Sequence, residues 1–339
     1  MTATYRAIRL ERFAPSFRAA TEIVTLPVVA PGPGEIRVRN HWCGVNGIFD
    51  TQMSRNAVDY IQFALPTLTG VEAVGVIEAV GDDVEGYAVG DAVANLRFRG
   101  GYREMNTAPA SEFVRVPDAS RDSLGLASTG VAALLALEHA GEVRDGETVA
   151  ISAAAGGLGH LAVRLAKLRG CRVIAVCGGG KADFVRSLGA DRVIDYRNES
   201  VAKVLADEFP DALDVAIDTV GGGIFDAFLD NLAPHGRLVV SGAASDMDGN
   251  PQAAARPRLP LSFYYKAASI RAFQNGRSTH LWPAAREKLF AMQAAGRVAV
   301  SFDAQAFHGL ESAYDAVERL ISGQSMGKVV INLSPEHAT

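Results

Sequence analysis

Between Glu147 and Lys181 the chain reads as a buried strand, a turn of small residues, a helix and a second strand, a run that packs only as a parallel βαβ crossover. Thr148-Val149-Ala150-Ile151 is the first strand, and it runs directly into Ser152-Ala153-Ala154-Ala155-Gly156-Gly157-Leu158-Gly159 at the head of a helix. Small side chains there let the backbone come close to a pyrophosphate, whose charge meets the free amides and positive end of the helix, and Gly159 lets helix and strand pack closely. Ala154 stands where the first glycine of G-x-G-x-x-G is usual, so strand, helix and second strand carry the signal rather than the bare motif. An NAD site places Asp or Glu near the end of the second strand to accept from the ribose 2′-hydroxyl. Here that strand, Cys171 to Val176, ends in Cys177-Gly178-Gly179-Gly180-Lys181. A 2′-phosphate would be repelled by a carboxylate and attracted by the Lys181 ammonium, so the site suits NADPH.

With 339 residues, two domains are the expectation, each large enough for its own core. A net charge of -5 offers no basic surface for nucleic acid or anionic lipid. Arg6, Arg9, Glu11 and Arg12 break up the first apolar stretch, so no signal peptide is expected, nor any run of membrane length; the protein is expected in the cytoplasm. Cys43, Cys171 and Cys177 form no C-x-x-C, which fits reduced thiols.

The first 122 residues read as antiparallel β, with short apolar stretches such as Ile36–Val38 and Val74–Val80 punctuated by Gly70, Gly75, Gly81, Gly86 and Gly90. Strand and helix then alternate through 123–273, with strands near 148–152, 171–176, 191–194, 213–218, 237–241 and 269–273, which predicts a doubly wound parallel sheet of six strands. Helices near Trp282–Ala295 and Leu310–Ile321 and a strand Lys328–Leu333 fill 274–339. Since the six-stranded sheet is complete by 273, this last segment is expected to return to the first domain. Asn250 to Arg258 is expected to be an exposed loop.

Gly44-Val45-Asn46, Gly70-Val71-Glu72-Ala73-Val74-Gly75, Tyr87 to Val93, Ser128-Thr129-Gly130, the Ala153–Gly159 turn, Ser187 to Tyr196, Val215–Gly222 and Gly236–Gly242 together resemble the medium-chain dehydrogenase/reductase superfamily. Within it the chain is similar to the zinc-independent quinone oxidoreductase and prostaglandin reductase 3-like branch. The resemblance implies an α/β architecture, a GroES-like β-rich domain beside a Rossmann domain. It implies no zinc, because Asn46 and Val71 stand where the alcohol dehydrogenases of the superfamily carry Cys and His, and three cysteines are too few for a structural zinc lobe. His41 and Cys43 supply only two ligands. Relatives commonly read Gly-Val-Asn-x-x-Asp, whereas Asp50 comes one position later.

By the same resemblance Thr129 contacts the nicotinamide carboxamide, Ala155, Gly156, Gly157 and Leu158 the pyrophosphate, Lys181 and Tyr196 the 2′-phosphate, and Gly242 and Phe273 the nicotinamide edge. The catalytic candidates are Asn46, Tyr264 and Tyr265. Asn46 is either a neutral donor near the substrate carbonyl or nicotinamide ribose or a loop residue satisfying nearby backbone. The tyrosines either donate to an enolate or pack their rings together. His160 is expected to pack near the phosphates rather than to act as a base. Met53, Tyr60, Phe63, Leu65, Phe98 and Tyr102 are the expected apolar substrate wall, with Arg55, Arg97, Arg99 and Arg103 either collecting an anionic group or simply solvated.

Without a Lewis acid, alcohol oxidation loses its main device. Hydride delivery to an activated C=C asks only for placed donors. The leading expectation is therefore NADPH-dependent reduction of a lipophilic α,β-unsaturated ketone, in the manner of a 15-oxoprostaglandin 13-reductase. NADPH:quinone reduction is second and an NADPH-binding structural or redox-sensing protein third. A homodimer through the sixth strand is expected.

Overall fold

A computed structural model of the chain describes residues 3–58, 60–246 and 259–334. It divides into two compact units, Thr129–Ser301 and Met1–Ser128 with Phe302–Thr339. The return to the first unit thus comes at Phe302 and not at 274, and the helix Trp282–Ala294 stays in the middle unit. The whole of the loop expected at 250–258 and all of 335–339 lie outside the described residues.

The middle unit carries β1 (Thr148–Ile151), β2 (Arg172–Cys177), β3 (Arg192–Asp195), β4 (Leu213–Asp218), β5 (Leu232–Val240) and β6 (Ser269–Ala272). Every pairing is parallel, and the order across the sheet is β3-β2-β1-β4-β5-β6. Both faces are covered, so the strands read as unbroken apolar runs: Val149, Ile151, Ile174, Val176, Val215, Ile217, Leu238 and Val239 are wholly buried. Each such side chain is worth about 1.5–3 kcal/mol by removal from water. The chain leaves β1 toward β2 on one side and later takes up β4 on the other. The order therefore reverses between β1 and β4, and all six strands present their carboxyl ends to the same edge.

The helix Gly157–Leu168 follows β1, its buried face formed by Leu161, Ala162, Val163, Leu165 and Ala166. Its close approach depends on Gly159: a Cβ there would lie 2.2 Å from the carbonyl oxygen of Ala153.

The other unit is antiparallel β. Thr4–Leu10 lies between Thr21–Pro27 and the short Thr67–Leu68. A second sheet runs Val330–Asn332, Glu35–Gly44, Ala73–Val80, Ala92–Asn95, Phe113–Arg115, with Met105–Pro109 also on Glu35–Gly44. The closing strand pairs Val330 with Gly44 and Asn332 with Trp42. Ile36, Val38, Ile77, Val93 and Phe113 form one core, and Ile8, Leu10, Phe17, Met53, Tyr102 and Ile331 belong to another.

Arg121–Ala140, 20 helical residues, reaches membrane-spanning length and composition, with a mean hydropathy of 1.2 over its most apolar 18 residues, contrary to the expectation from sequence; 72% of that stretch is buried inside the protein. Two π-turns, Leu126–Gly130 and Ala136–Ala140, interrupt it, and the first contains Thr129.

Replacing Gly159 by Ala should destabilise the middle unit by about 1–3 kcal/mol through overpacking. Thermal unfolding of the ligand-free protein checks this.

Candidate active site

β1 ends at Ile151, and the phosphate turn follows at the carboxyl edge of the sheet. The left-handed backbone of this turn falls on Ala153, at φ 45°, and not on Ala154, which is buried and needs no glycine. Holding Ala153 there costs roughly 1–2 kcal/mol. Gly156 occupies the N-cap of the helix with no side chain capping it, so the amides of Gly157 and Leu158 face outward with the positive end of a 12-residue dipole behind them. His160, wholly buried, accepts from the Ser301 amide at Nε2 (3.0 Å) and therefore donates through Nδ1 to the Gly156 carbonyl at 2.9 Å. It braces the turn as a neutral imidazole.

At the end of β2 the three glycines turn the chain, and Lys181 takes the N-cap position of the helix Ala182–Ser187. Tyr196 lies over Gly178 so closely that a Cβ there would be 2.7 Å from its ring. Arg197, which the sequence reading did not single out, lies beside Gly179, its guanidinium 3.3 Å from where a Cβ would stand. The nearby carboxylate, Asp195, is turned to its own loop and accepts from the Arg197 amide and the Asn198 side chain at 3.1 and 2.9 Å. Burial pushes the Cys177 thiol up to about 11. The rim thus holds Lys181, Tyr196 and Arg197, a donor set that fits a 2′-phosphate.

A second feature missed in the sequence joins the two central strands. Ser152 Oγ donates to Asp218 Oδ1 at 2.7 Å and accepts from the Thr219 amide at 2.8 Å, while Asp218 also accepts from the amides of Val220 and Gly221 at 2.9 and 3.0 Å. The Ser241 amide donates to the Asp218 carbonyl and Ala244 to that of Thr219, and a Cβ on Gly242 would be 3.0 Å from the Thr219 oxygen. Phe273, nearly buried after β6, donates its amide to Val240. Gly242, Phe273 and the phosphate turn therefore share the carboxyl edge.

Tyr264 and Tyr265 do not join them. They sit on the helix Leu261–Tyr265, which leads into the amino end of β6, at the opposite edge of the sheet. They are 76% and 74% exposed, with ring centroids 5.6 Å apart. The ring pairing is the arrangement observed.

In the β-rich unit, Asn46 occupies the N-cap position of the helix Gly47–Ser54 but does not cap it. Its Nδ2 donates to Glu72 Oε1 at 2.8 Å, and the same oxygen takes the buried Lys328 ammonium. Glu72 and Lys328 are 1% and 4% exposed, and Lys328 also donates to the Val45 carbonyl at 3.2 Å. The ion pair therefore fixes one N–H of Asn46 and leaves its second N–H and its Oδ1 to other partners.

The apolar wall is narrower than expected. Met53 and Tyr102 are core residues with no exposure, and Tyr60 is 60% exposed. What remains is Leu65, 37% exposed, with Phe63 and Phe98, the two rings joined by Phe49 in an edge-to-face trio with centroids 5.1, 6.1 and 6.5 Å apart. Arg103 is taken up by Met105 O and Tyr5, and Arg55 by Pro15 O; Arg97 and Arg99 stay exposed, Arg99 over the Phe98 ring. Among the described residues no group of three or more His, Cys, Asp and Glu is arranged to hold a metal.

Residues 157–291 match the family described as zinc-binding dehydrogenase, and residues 32–118 match the alcohol dehydrogenase GroES-like domain. The mouse protein Prostaglandin reductase-3 is 35% identical, over 97% of this chain and 90% of its own length. The chain belongs to the medium-chain dehydrogenase/reductase superfamily. Its place there is the zinc-independent quinone and prostaglandin reductase branch: a probable quinone oxidoreductase of Leishmania amazonensis is 31% identical over 97% of this chain and 98% of that one. The solved quinone oxidoreductase of Escherichia coli, complexed with NADPH, superposes with a TM-score of 0.81 at 25% identity, over 96% of this chain and 99% of that one. As in the superfamily generally, this oxidoreductase combines a GroES-like β unit with a Rossmann sheet.

Replacing Glu72 by Ala should cost about 3–5 kcal/mol, because it strands the Lys328 ammonium in the core. Glu72→Gln, which keeps an acceptor, should cost less. Comparing unfolding midpoints of the two variants tests the pair.

Proposed function

We propose that this chain reduces the C=C bond of lipophilic α,β-unsaturated ketones with NADPH. The observation that carries the reading is the state of Asn46: where metal-dependent relatives hold a zinc-binding Cys, this chain holds an amide anchored to a buried Glu72–Lys328 ion pair. That arrangement supplies neutral hydrogen-bond donors and no Lewis acid. Such donors suffice for a carbonyl oxygen that gains charge as its β-carbon is reduced.

NADPH, when bound, supplies the hydride. The Gly157 and Leu158 amides hold the pyrophosphate, and Lys181, Tyr196 and Arg197 hold the 2′-phosphate. Thr129, Gly242 and Phe273 border the nicotinamide. The second N–H of Asn46 is a donor for the substrate carbonyl. Phe49, Phe63 and Phe98 offer an apolar surface to the substrate and exclude water from it. The kinship with Prostaglandin reductase-3 supports an enone, and the quinone oxidoreductase relatives support a quinone as the second reading. The edge of β6, which has no further strand on it among the described residues and carries the exposed Ile270, supports a homodimer, and we place the enzyme in the cytoplasm.

Anaerobic NADPH consumption with a medium-chain enone and a quinone side by side, products identified by mass, decides between the readings. A saturated ketone is expected; a quinol alone favours the second reading, and tight NADPH binding without turnover favours a binding protein. Lys181→Glu should raise KM for NADPH about tenfold or more while barely moving that for NADH. An unchanged preference would remove Lys181 from the cofactor rim.

A further inference from the structure

Asp50 has no part in the chemistry above, yet it is one of the most deeply buried carboxyls in its unit, 1% exposed and one residue after Phe49 on the helix Gly47–Ser54. Tyr102 Oη donates to its Oδ2 at 2.7 Å, and its Oδ1 is buried with no hydrogen-bond partner. Tyr102 belongs to the loop that also carries Phe98. Asn40 pins this loop from the neighbouring strand by donating to the carbonyls of Gly100 and Arg103 at 3.1 and 2.9 Å. The Asp50–Tyr102 bond therefore ties together the two segments whose rings, Phe49 and Phe98, meet edge-on at 6.1 Å.

We propose that Asp50 and Tyr102 are positioning residues that hold Phe49 against Phe98 and Phe63 and so shape a site for the apolar chain of the substrate. What enters the site rests on the reductase reading; the coupling of the two residues to the rings does not.

The groups around Asp50 show how the clamp responds to pH. Tyr102 faces it from the loop, Glu72 from the head of Ala73–Val80, Lys328 from the head of Val330–Asn332, Cys43 from Glu35–Gly44, and the Asn46 backbone from its own helix. Lys328, the one cation among them, is engaged by Glu72. Burial raises the Asp50 carboxyl to about 7, against the opposing pull of the Tyr102 bond, the Asn46 backbone and Lys328. Ionisation leaves a buried anion with a bare oxygen beside Glu72. Solvating Oδ1 would draw water between the helix and the loop and so part Phe49 from Phe98. An acid whose pKa is raised on folding contributes stability that is present below its unfolded value, near 3.8, and lost as pH climbs to the folded value. Alkaline pH should therefore loosen both the fold and the apolar site.

The test titrates the full-length protein with the neutral dye Nile red at about pH 6 and about pH 8.5, two conditions that straddle the Asp50 titration. Phe98→Ala should weaken dye binding roughly fivefold at both, which places the dye at the rings. The unsubstituted protein should bind about threefold to tenfold more weakly at the higher pH, whereas Asp50→Asn, which keeps a neutral acceptor for Tyr102, should bind equally at both. Its unfolding midpoint should also lose most of the decline between about pH 5 and about pH 8 that the parent shows. Tyr102→Phe, folded by circular dichroism, should bind weakly at both values. Unchanged dye affinity in Phe98→Ala, or a parental pH profile in Asp50→Asn, overturns the proposal. Because the dye undergoes no reaction, the pattern can hold while enone turnover fails, which would sink the reductase reading alone. Enone reduction beside a parental profile in Asp50→Asn would sink only the clamp.

Discussion

The hydrogen bond from Ser152 to Asp218 sits where the sheet reverses its order, and the architecture of the cofactor unit converges on it. A parallel sheet brings its carboxyl ends to one edge, but each end leaves backbone groups unpaired as the strand gives way to a loop. Asp218, buried at the end of β4, takes up two of those donors, the amides of Val220 and Gly221, together with the Ser152 hydroxyl. Ser152 returns the favour by accepting from Thr219. The phosphate turn and the loop after β4 are thereby one hydrogen-bonded piece, to which the 241–245 segment adds through Asp218, Thr219 and Val220. Burial raises the Asp218 carboxyl, and the hydrogen bonds it accepts from Ser152, Val220 and Gly221 pull it back. A side chain so enclosed is held rigidly between the two loops.

The periodicity of the chain made the six parallel strands and the phosphate turn legible, because a buried parallel sheet demands apolar runs and its turn demands small residues. The role proposed for the lysine beyond the three glycines rests on electrostatics that the sequence alone supplies. Arg197 was not legible, since it reaches Gly179 only through the folding of the next strand's loop, and nothing local marks it. Ser152 and Asp218 lie 66 residues apart, and only the strand order brings them together. Tyr264 and Tyr265 failed in the opposite direction. Their place just before the last strand reads as proximity to the site, but in a parallel sheet the residues before a strand lie at the edge remote from those after it.

Ala154 shows why a motif and its physics can part company. The glycine usual at that position answers a need for a tight turn, and this turn meets the need one residue earlier, with Ala153 in the left-handed region. The strain is small beside the burial that surrounds it, so the glycine can be lost while the turn survives. Gly159 has no such substitute, because its constraint is a neighbouring carbonyl rather than a backbone angle.

On the function proposed above, the two units would bind with different materials. The cofactor unit presents backbone amides and a helix dipole, which depend on chain path and tolerate changes of side chain; in the proposed reading the charges at the rim choose between phosphate and hydroxyl. The β-rich unit uses side chains throughout, with one buried ion pair beneath Asn46 and three aromatic rings whose contacts require each segment to hold its place. Backbone recognition is redundant, since several amides share one anion, whereas an edge-to-face trio loses its geometry when any one ring moves. Differences among relatives in what is reduced should therefore concentrate in segments such as 46–63 and 97–103, and differences in which cofactor is used in the few residues from Gly178 to Arg197.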